Sequence, residues 1–244
     1  MSKTNKEITL EELEQDDSFF EGLRNEEFCL VLGAGFSFGV YNKNREFPTI
    51  PISLQFVEFT NTKFKTRTKE YQAAASVWTE RVKEDETLFK EFINLFLVDE
   101  EKFNYQLFSF IFSPSWHNIF TFSFDNVLET IQSKSSRKKY PVRSYPNYPS
   151  DDTEPNIIHL HGLLNKDSTI SDIVFTSKSY SELGNENHDL YDVLYGDIET
   201  RKRNLIIIGT KFNEQVVFNK FFHGLKRKDI KIYHFGFENS DVKE

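Results

Sequence analysis

The sequence has a single cysteine, Cys29, among its 244 residues, and this cysteine lies inside a run of apolar residues. One cysteine excludes an intrachain disulfide and any zinc site built from several cysteines. No apolar run approaches the ~20 residues of a membrane span, and the polar N-terminus lacks the apolar segment of a signal peptide. We therefore expect a cytoplasmic protein that has no membrane anchor and no bound metal ion.

An excess of positive charge is also missing, since 30 lysines and arginines stand against 38 acidic residues, for a net charge of −8. This balance argues against direct binding to nucleic acid. Aromatic residues, by contrast, are abundant, with 26 phenylalanines and 10 tyrosines. Because aromatic side chains bury large apolar areas, the chain can form a sizeable core. We expect a single domain over residues 1–244.

Short apolar runs alternate with stretches of helical periodicity along much of the chain. This alternation predicts an α/β fold, a Rossmann-like parallel sheet with helices on both faces. From about residue 40 to 115 the apolar residues recur at helical spacing without a convincing strand, which predicts a helical insert. Strands are predicted at residues 28–33, 118–122, 156–160, 172–176, 204–209 and 230–235. Helices are predicted at about 10–24, 124–132, 178–183, 187–202 and 213–226, and a proline-rich loop at 141–149.

The first predicted strand runs directly into a glycine turn, Gly33-Ala34-Gly35. Backbone amides at such a turn commonly bind the pyrophosphate of a dinucleotide. The next glycine, Gly39, comes one residue too late for the Gly-x-Gly-x-x-Gly pattern, and no acidic residue clearly ends a second strand. A dehydrogenase that transfers hydride is therefore disfavoured, and a tight turn without a ligand remains an alternative.

Polar residues follow two other predicted strands. Thr121, Ser123 and Asp125 lie where one strand gives way to a helix, and Gly209 and Thr210 end a strongly apolar strand. Ligands of a parallel sheet bind at the carboxyl ends of the strands, so these residues are candidates for ribose or phosphate contacts. The alternative is helix capping, which uses the same residue types.

Two histidines, His159 and His161, close another predicted strand. We expect the two to face opposite sides and not to serve one site. His161, which precedes Gly162 at the strand end, is the better candidate for a general base. We expect His159 to pack or to form hydrogen bonds inside the protein.

Four motifs, in this order, resemble those of the sirtuin family, and more closely those of the compact, zinc-free sirtuin-like domains of bacterial anti-phage defence. Residues 33–37 match the family's Gly-Ala-Gly-x-Ser loop, and residues 121–125 match its Thr-x-Asn-x-Asp element. Residues 161–162 match the His-Gly motif, and residues 209–214 look like the late glycine loop. The resemblance runs from about residue 28 to 236.

The resemblance implies that the substrate is NAD+ and that water cleaves it to nicotinamide and ADP-ribose. It implies that His161 acts as general base, that Asp125 orients the ribose and that Ser123 positions a water or a hydroxyl. The implied NAD+-binding residues are Gly33, Ala34, Gly35, Phe36, Ser37, Thr121, Gly209, Thr210 and Asn213.

Two departures from the family pattern leave alternatives open. The four zinc-binding cysteines of sirtuin deacylases are absent, so protein deacylation ranks below hydrolysis. Ser123 stands where the family has asparagine, which keeps open a catalytically weak subunit that binds NAD+ or ADP-ribose in a larger complex. The resemblance further implies an effector of abortive infection. Because the last predicted strand ends near residue 236, we expect its control to come from a partner protein or from self-assembly.

Overall fold

The structure is a computed structural model that describes residues 9–135, 139–145, 155–185, 189–201, 203–210 and 230–235. Its centre is a six-stranded sheet with the strand order β3-β4-β2-β1-β5-β6, and every neighbouring pair is parallel. The predicted α/β, Rossmann-like fold is thus confirmed. The strands are β1 (Phe28–Leu32), β2 (Ile119–Thr121), β3 (Val142–Ser144), β4 (Ile157–His159), β5 (Asn204–Ile208) and β6 (Ile232–Phe235).

Helices cover the sheet between successive strands. Three of them, α3, α4 and α5, lie between β1 and β2, in the stretch predicted as a helical insert, and are followed by two short 3-10 turns. The α-helices are α1 (Leu10–Glu14), α2 (Asp17–Arg24), α3 (Ser53–Phe64), α4 (Tyr71–Val82), α5 (Glu86–Phe96), α6 (Val127–Lys134), α7 (Ser177–Asn185) and α8 (Asp189–Tyr195). A π-helical turn, Gly196–Thr200, continues from α8. None of the helices in these segments combines the length and the hydropathy that a membrane span requires.

The sheet separates two apolar cores. In β1, Leu30 and Leu32 contribute to a first core that includes aromatic residues of α3, α4 and α5, whereas Cys29 and Val31 contribute to a second core with α7 and α8. All five residues of β1 are buried. A central parallel strand is covered by helices on both faces, which explains why its sequence is apolar without alternation. Cys29 is the buried core residue that the sequence predicts.

Several predicted boundaries are wrong, each for a physical reason. Residues 172–176 form no strand, because Ile170–Asp172 makes a 3-10 turn and the apolar residues that follow are buried without joining the sheet. The predicted loop at 141–149 contains edge strand β3, whose partly exposed residues carry no apolar signal. The predicted helix 10–24 is broken at Asp16, whose side chain accepts hydrogen bonds from two amides of α2. The predicted helix 213–226 lies outside the described residues.

Candidate functional site

The carboxyl ends of β1, β2, β4 and β5 meet at one edge of the sheet. The chain moves from β1 to β2 on one side, and later places β5 on the other side of β1. The strand order therefore reverses between β1 and β5, and such a switch point is where open α/β sheets bind ligands. The glycine turns after β1 and β5 are located here.

These two glycine turns are in direct backbone contact. The Gly33 amide donates to the Ile208 carbonyl at 2.8 Å, and the Gly35 amide donates to the Gly209 carbonyl at 2.8 Å. A Cβ added to Gly33 would lie 2.4 Å from the Gly209 oxygen, and one added to Gly209 would lie 2.4 Å from the Phe36 nitrogen. Only glycine allows this approach, and Gly209 also has a φ of +72°.

The contact changes how the first turn could bind a phosphate. The amides of Gly33 and Gly35 already donate to carbonyl groups, so in this arrangement they do not point at a ligand. Ala34 begins the 3-10 turn Ala34–Ser37 and is exposed, and the first amides of a helical turn have no partner within it. Thr210 is half-buried beside the turn, and its carbonyl accepts a hydrogen bond from His234 at 2.7 Å.

A buried carboxylate joins the turn after β1 to the turn after β2. Asp125 is 3% exposed, and its Oδ2 accepts hydrogen bonds from the hydroxyls of Ser37, at 2.7 Å, and Ser123. Its Oδ1 accepts from the Val127 amide at 3.0 Å, so Asp125 also binds the first amide of α6. Burial raises the pKa of Asp125, whereas the three hydrogen bonds act to lower it. Three of the predicted site residues are thus brought together.

The turn that carries Ser123 is held at each of its polar groups. The Ser123 amide donates to the Thr121 hydroxyl at 3.0 Å, and its own hydroxyl donates to Asp125. The Ser123 carbonyl lies 2.9 Å from Nδ1 of His159. His159 is buried, and its Nε2 lies 2.8 Å from Oε1 of Glu129. The predicted internal hydrogen bonding of His159 is confirmed.

Residues two apart on a strand share a face, but β4 ends at His159 and the chain turns at Leu160 and His161. His161 therefore lies on the other side of the sheet, among aromatic rings. It is 2% exposed, and its Nε2 lies 3.2 Å from the hydroxyl oxygen of Tyr191 in α8. Its ring centroid is 5.3 Å from that of Phe122 and 5.3 Å from that of Tyr180 in α7. The ring that contacts His161 thus belongs to Phe122, the neighbour of Ser123 in the turn after β2.

Gly162 explains why a glycine follows this histidine. Its φ is +90°, and a Cβ added here would lie 2.0 Å from the carbonyl oxygen of Asp172. The His161 carbonyl also accepts a hydrogen bond from the Val174 amide at 2.9 Å. The close approach of residues 172–174 fixes the backbone that carries the His161 side chain.

Sequence reasoning missed Glu129, Tyr180 and Tyr191, which contact the two histidines. Glu129 lies in the first turn of α6, whereas Asp125 precedes the helix, so no helical spacing links the two in the sequence. No signal marks Tyr191, because its partner lies 30 residues away in sequence. The predicted residue Asn213 lies outside the described residues.

A polar cavity of about 500 Å³ opens beyond β3 and β4 at the same edge of the sheet. It contains none of the predicted site residues. In the described segments, no three His, Cys, Asp or Glu side chains converge in a way that could bind a metal ion. The cavity is lined by Ser144, Tyr145, Leu163, Asn165, Lys166, Asp167, Ser168 and Asp172.

Comparison with known proteins matches residues 117–240, just over half of the chain, to the family model of the SIR2-like domain. The matched region includes the turn after β2, His161 and the glycine turn after β5, and it begins after the glycine turn that follows β1. A search of curated proteins finds no match to the chain.

Proposed function

Because this chain belongs to the SIR2-like domain family, we propose that it is an NAD+ hydrolase that releases nicotinamide and ADP-ribose. SIR2-like domains are commonly NAD-dependent enzymes. The proposal rests on the Asp125 carboxylate, which lies at the carboxyl edge of the sheet. It accepts hydrogen bonds from the hydroxyls of Ser37, after β1, and Ser123, after β2. A buried carboxylate at this place can stabilise the positive charge that develops on the ribose.

The proposed reaction breaks the bond between the nicotinamide nitrogen and C1 of the ribose. The bonding electron pair leaves with nicotinamide and neutralises its ring, and the ribose becomes a cation. A water oxygen then bonds to C1, and the water loses one proton. Asp125 stabilises the cation, Ser123 positions the water and His161 accepts the proton. The exposed glycine turn at Ala34, together with Thr210, contacts the phosphates.

His161 supports a proposal about control as well as chemistry. Its ring is buried behind Tyr180 and Tyr191, so water reaches its Nε2 only when α7 and α8 move. We propose that a protein partner or self-assembly causes this movement, and that the enzyme acts as an effector of anti-phage abortive infection. An NAD+ hydrolase in this setting must stay inactive until it is triggered, and the covered histidine fits that need.

The test is incubation of the purified chain with NAD+, alone and with proteins co-expressed from neighbouring genes, followed by chromatography of the products. We expect nicotinamide and ADP-ribose in at least one condition, and loss of both with His161→Ala. His117→Ala is the matched control, because His117 precedes β2 at the opposite edge of the sheet and contacts Asp197. Unchanged turnover in His161→Ala would contradict the assignment.

The second candidate is a subunit that binds NAD+ or ADP-ribose with little turnover. Ser123 favours it, because its hydroxyl donates to Asp125 and is shorter than the family's asparagine. Ser123→Asn separates the two candidates when turnover and NAD+ affinity are measured together. A large gain in turnover at similar affinity supports an attenuated enzyme. Binding without turnover in both forms supports the binding subunit.

A further inference from the structure

His159 has an acceptor at each of its two ring nitrogens. Nδ1 faces the Ser123 carbonyl at 2.9 Å, and Nε2 faces Oε1 of Glu129 at 2.8 Å. A carbonyl oxygen only accepts hydrogen bonds, and so does an ionised carboxylate. A neutral imidazole has one N–H and would leave one ring nitrogen without a proton to donate. The imidazolium form donates to both partners.

We propose that His159 is a positioning residue, an imidazolium that bridges Glu129 and the Ser123 carbonyl and fixes the turn carrying Ser123 and Asp125. The inference rests on the proposed function, because it assigns this turn to the reaction. His159 does not contact the reacting atoms. It acts through the Ser123 carbonyl. The Ser123 amide donates to the Thr121 hydroxyl, and the Ser123 hydroxyl donates to Asp125.

The charges around His159 support this form. Burial by itself acts to lower the pKa of His159, but Glu129, the Ser123 carbonyl and Asp125 outweigh it, so that the pKa is raised. Glu129 faces the ring from α6, and Asp125 faces it from the turn before α6. A raised pKa means that the bridge is intact below that raised value and is lost as the pH rises through it. Activity should therefore fall on the alkaline side.

The most selective variant is Glu129→Gln, which keeps the shape of the side chain. A glutamine amide can donate to Nε2 of a neutral His159, while Nδ1–H still donates to Ser123. The bridge then survives, but it no longer holds the extra proton. We expect turnover near that of the wild type at acidic pH, and no fall at the pH where the wild type loses the bridge. One pH unit above the wild-type midpoint, Glu129→Gln should then be about tenfold more active than the wild type.

Glu100→Gln is the matched control, because Glu100 pairs with Lys134 at the end of α6, at 3.7 Å, and leaves the His159 bridge intact. Its pH–rate profile should equal that of the wild type. A purely structural role for Glu129 would lower turnover equally at every pH. That result, or a profile identical to wild type in Glu129→Gln, would overturn the positioning role.

Ring-nitrogen NMR of the full chain tests the inference without turnover. We expect both nitrogens of His159, assigned with His159→Gln, to be protonated at pH 7, and the titration midpoint to fall in Glu129→Gln. The Ser123 amide resonance should move with the same midpoint. A neutral His159 at pH 7 overturns the inference even if NAD+ is hydrolysed. If His159 is cationic and its titration shifts the Ser123 amide resonance, but NAD+ is not hydrolysed, only the proposed function is contradicted.

Discussion

The backbone contact between the two glycine turns makes a quantitative prediction for Gly209→Ala. The new Cβ would lie 2.4 Å from the Phe36 nitrogen and 2.7 Å from the Gly35 carbonyl carbon. Both atoms belong to the backbone, so neither can move aside as a flexible side chain does. The substitution also places alanine at a φ of +72°. Two separate costs are thus combined at one position.

Gly39 and Gly196 separate these costs. Gly39 has a φ of +79° but nothing within 4 Å of its added Cβ, and Gly196 has neither a positive φ nor a neighbour. The left-handed conformation costs a residue with a side chain about 1–2 kcal/mol, which is the expected loss for Gly39→Ala. Overpacking adds about 1–3 kcal/mol, so Gly209→Ala should lose about 2–5 kcal/mol. Gly196→Ala should be at least as stable as the wild type.

Denaturant unfolding followed by circular dichroism measures the three variants under identical conditions. The smaller conformational freedom of an unfolded alanine affects all three alike and cancels in the differences. The difference between Gly209→Ala and Gly39→Ala isolates the steric cost. If these two variants lose the same free energy, the turns do not approach each other as described, and the reasoning fails.

Three further predictions follow from buried polar groups. Burial raises the pKa of Asp125, so its ionisation costs stability. The free energy of unfolding should then fall as the pH rises through that pKa, and pH-dependent unfolding should show a weaker fall in Asp125→Asn. Thr60→Val leaves the Trp78 Nε1–H, 2.9 Å from the Thr60 hydroxyl, without an acceptor and should cost about 1–3 kcal/mol. Thr62→Val, which loses only an exposed bond to the Glu58 carbonyl, should change stability little, and equal losses would contradict this account. Tyr191→Phe removes the hydroxyl that lies 3.2 Å from Nε2 of His161 and should raise NAD+ turnover in the chromatographic assay. Lost turnover would instead make Tyr191 part of the active arrangement.

The sheet was predictable because its central strands are buried on both faces. Residues 205–208 form an uninterrupted apolar run for this reason. The same signal misled at residues 172–176, where Ile173 to Phe175 are buried beneath other elements without pairing. Strand β3 was missed because an edge strand with Arg143 and Ser144 has no such run. An apolar run in the sequence indicates burial rather than strand pairing.

The candidate site was predictable only in its location. The ends of the predicted strands indicated Ser37, Ser123, Asp125 and His161 as site residues, but they did not indicate the hydrogen-bonding partners of these residues. The hydroxyl of Ser37 donates to Asp125, which lies 88 residues later in the sequence. Local sequence patterns do not predict a contact over that separation. Nor does the sequence reveal that the Gly35 amide donates to the chain itself. These contacts depend on how the strands are ordered in the sheet.

The opposite directions of His159 and His161 divide the site between the two faces of the sheet. Asp125 binds the first amide of α6, which packs in the first core, and His161 contacts Tyr180 and Tyr191 of the second. A partner that binds the outer surface of α7 and α8 could therefore act on the proposed base without entering the proposed NAD+ site. By thermodynamic linkage, NAD+ and such a partner must change each other's affinity by the same factor.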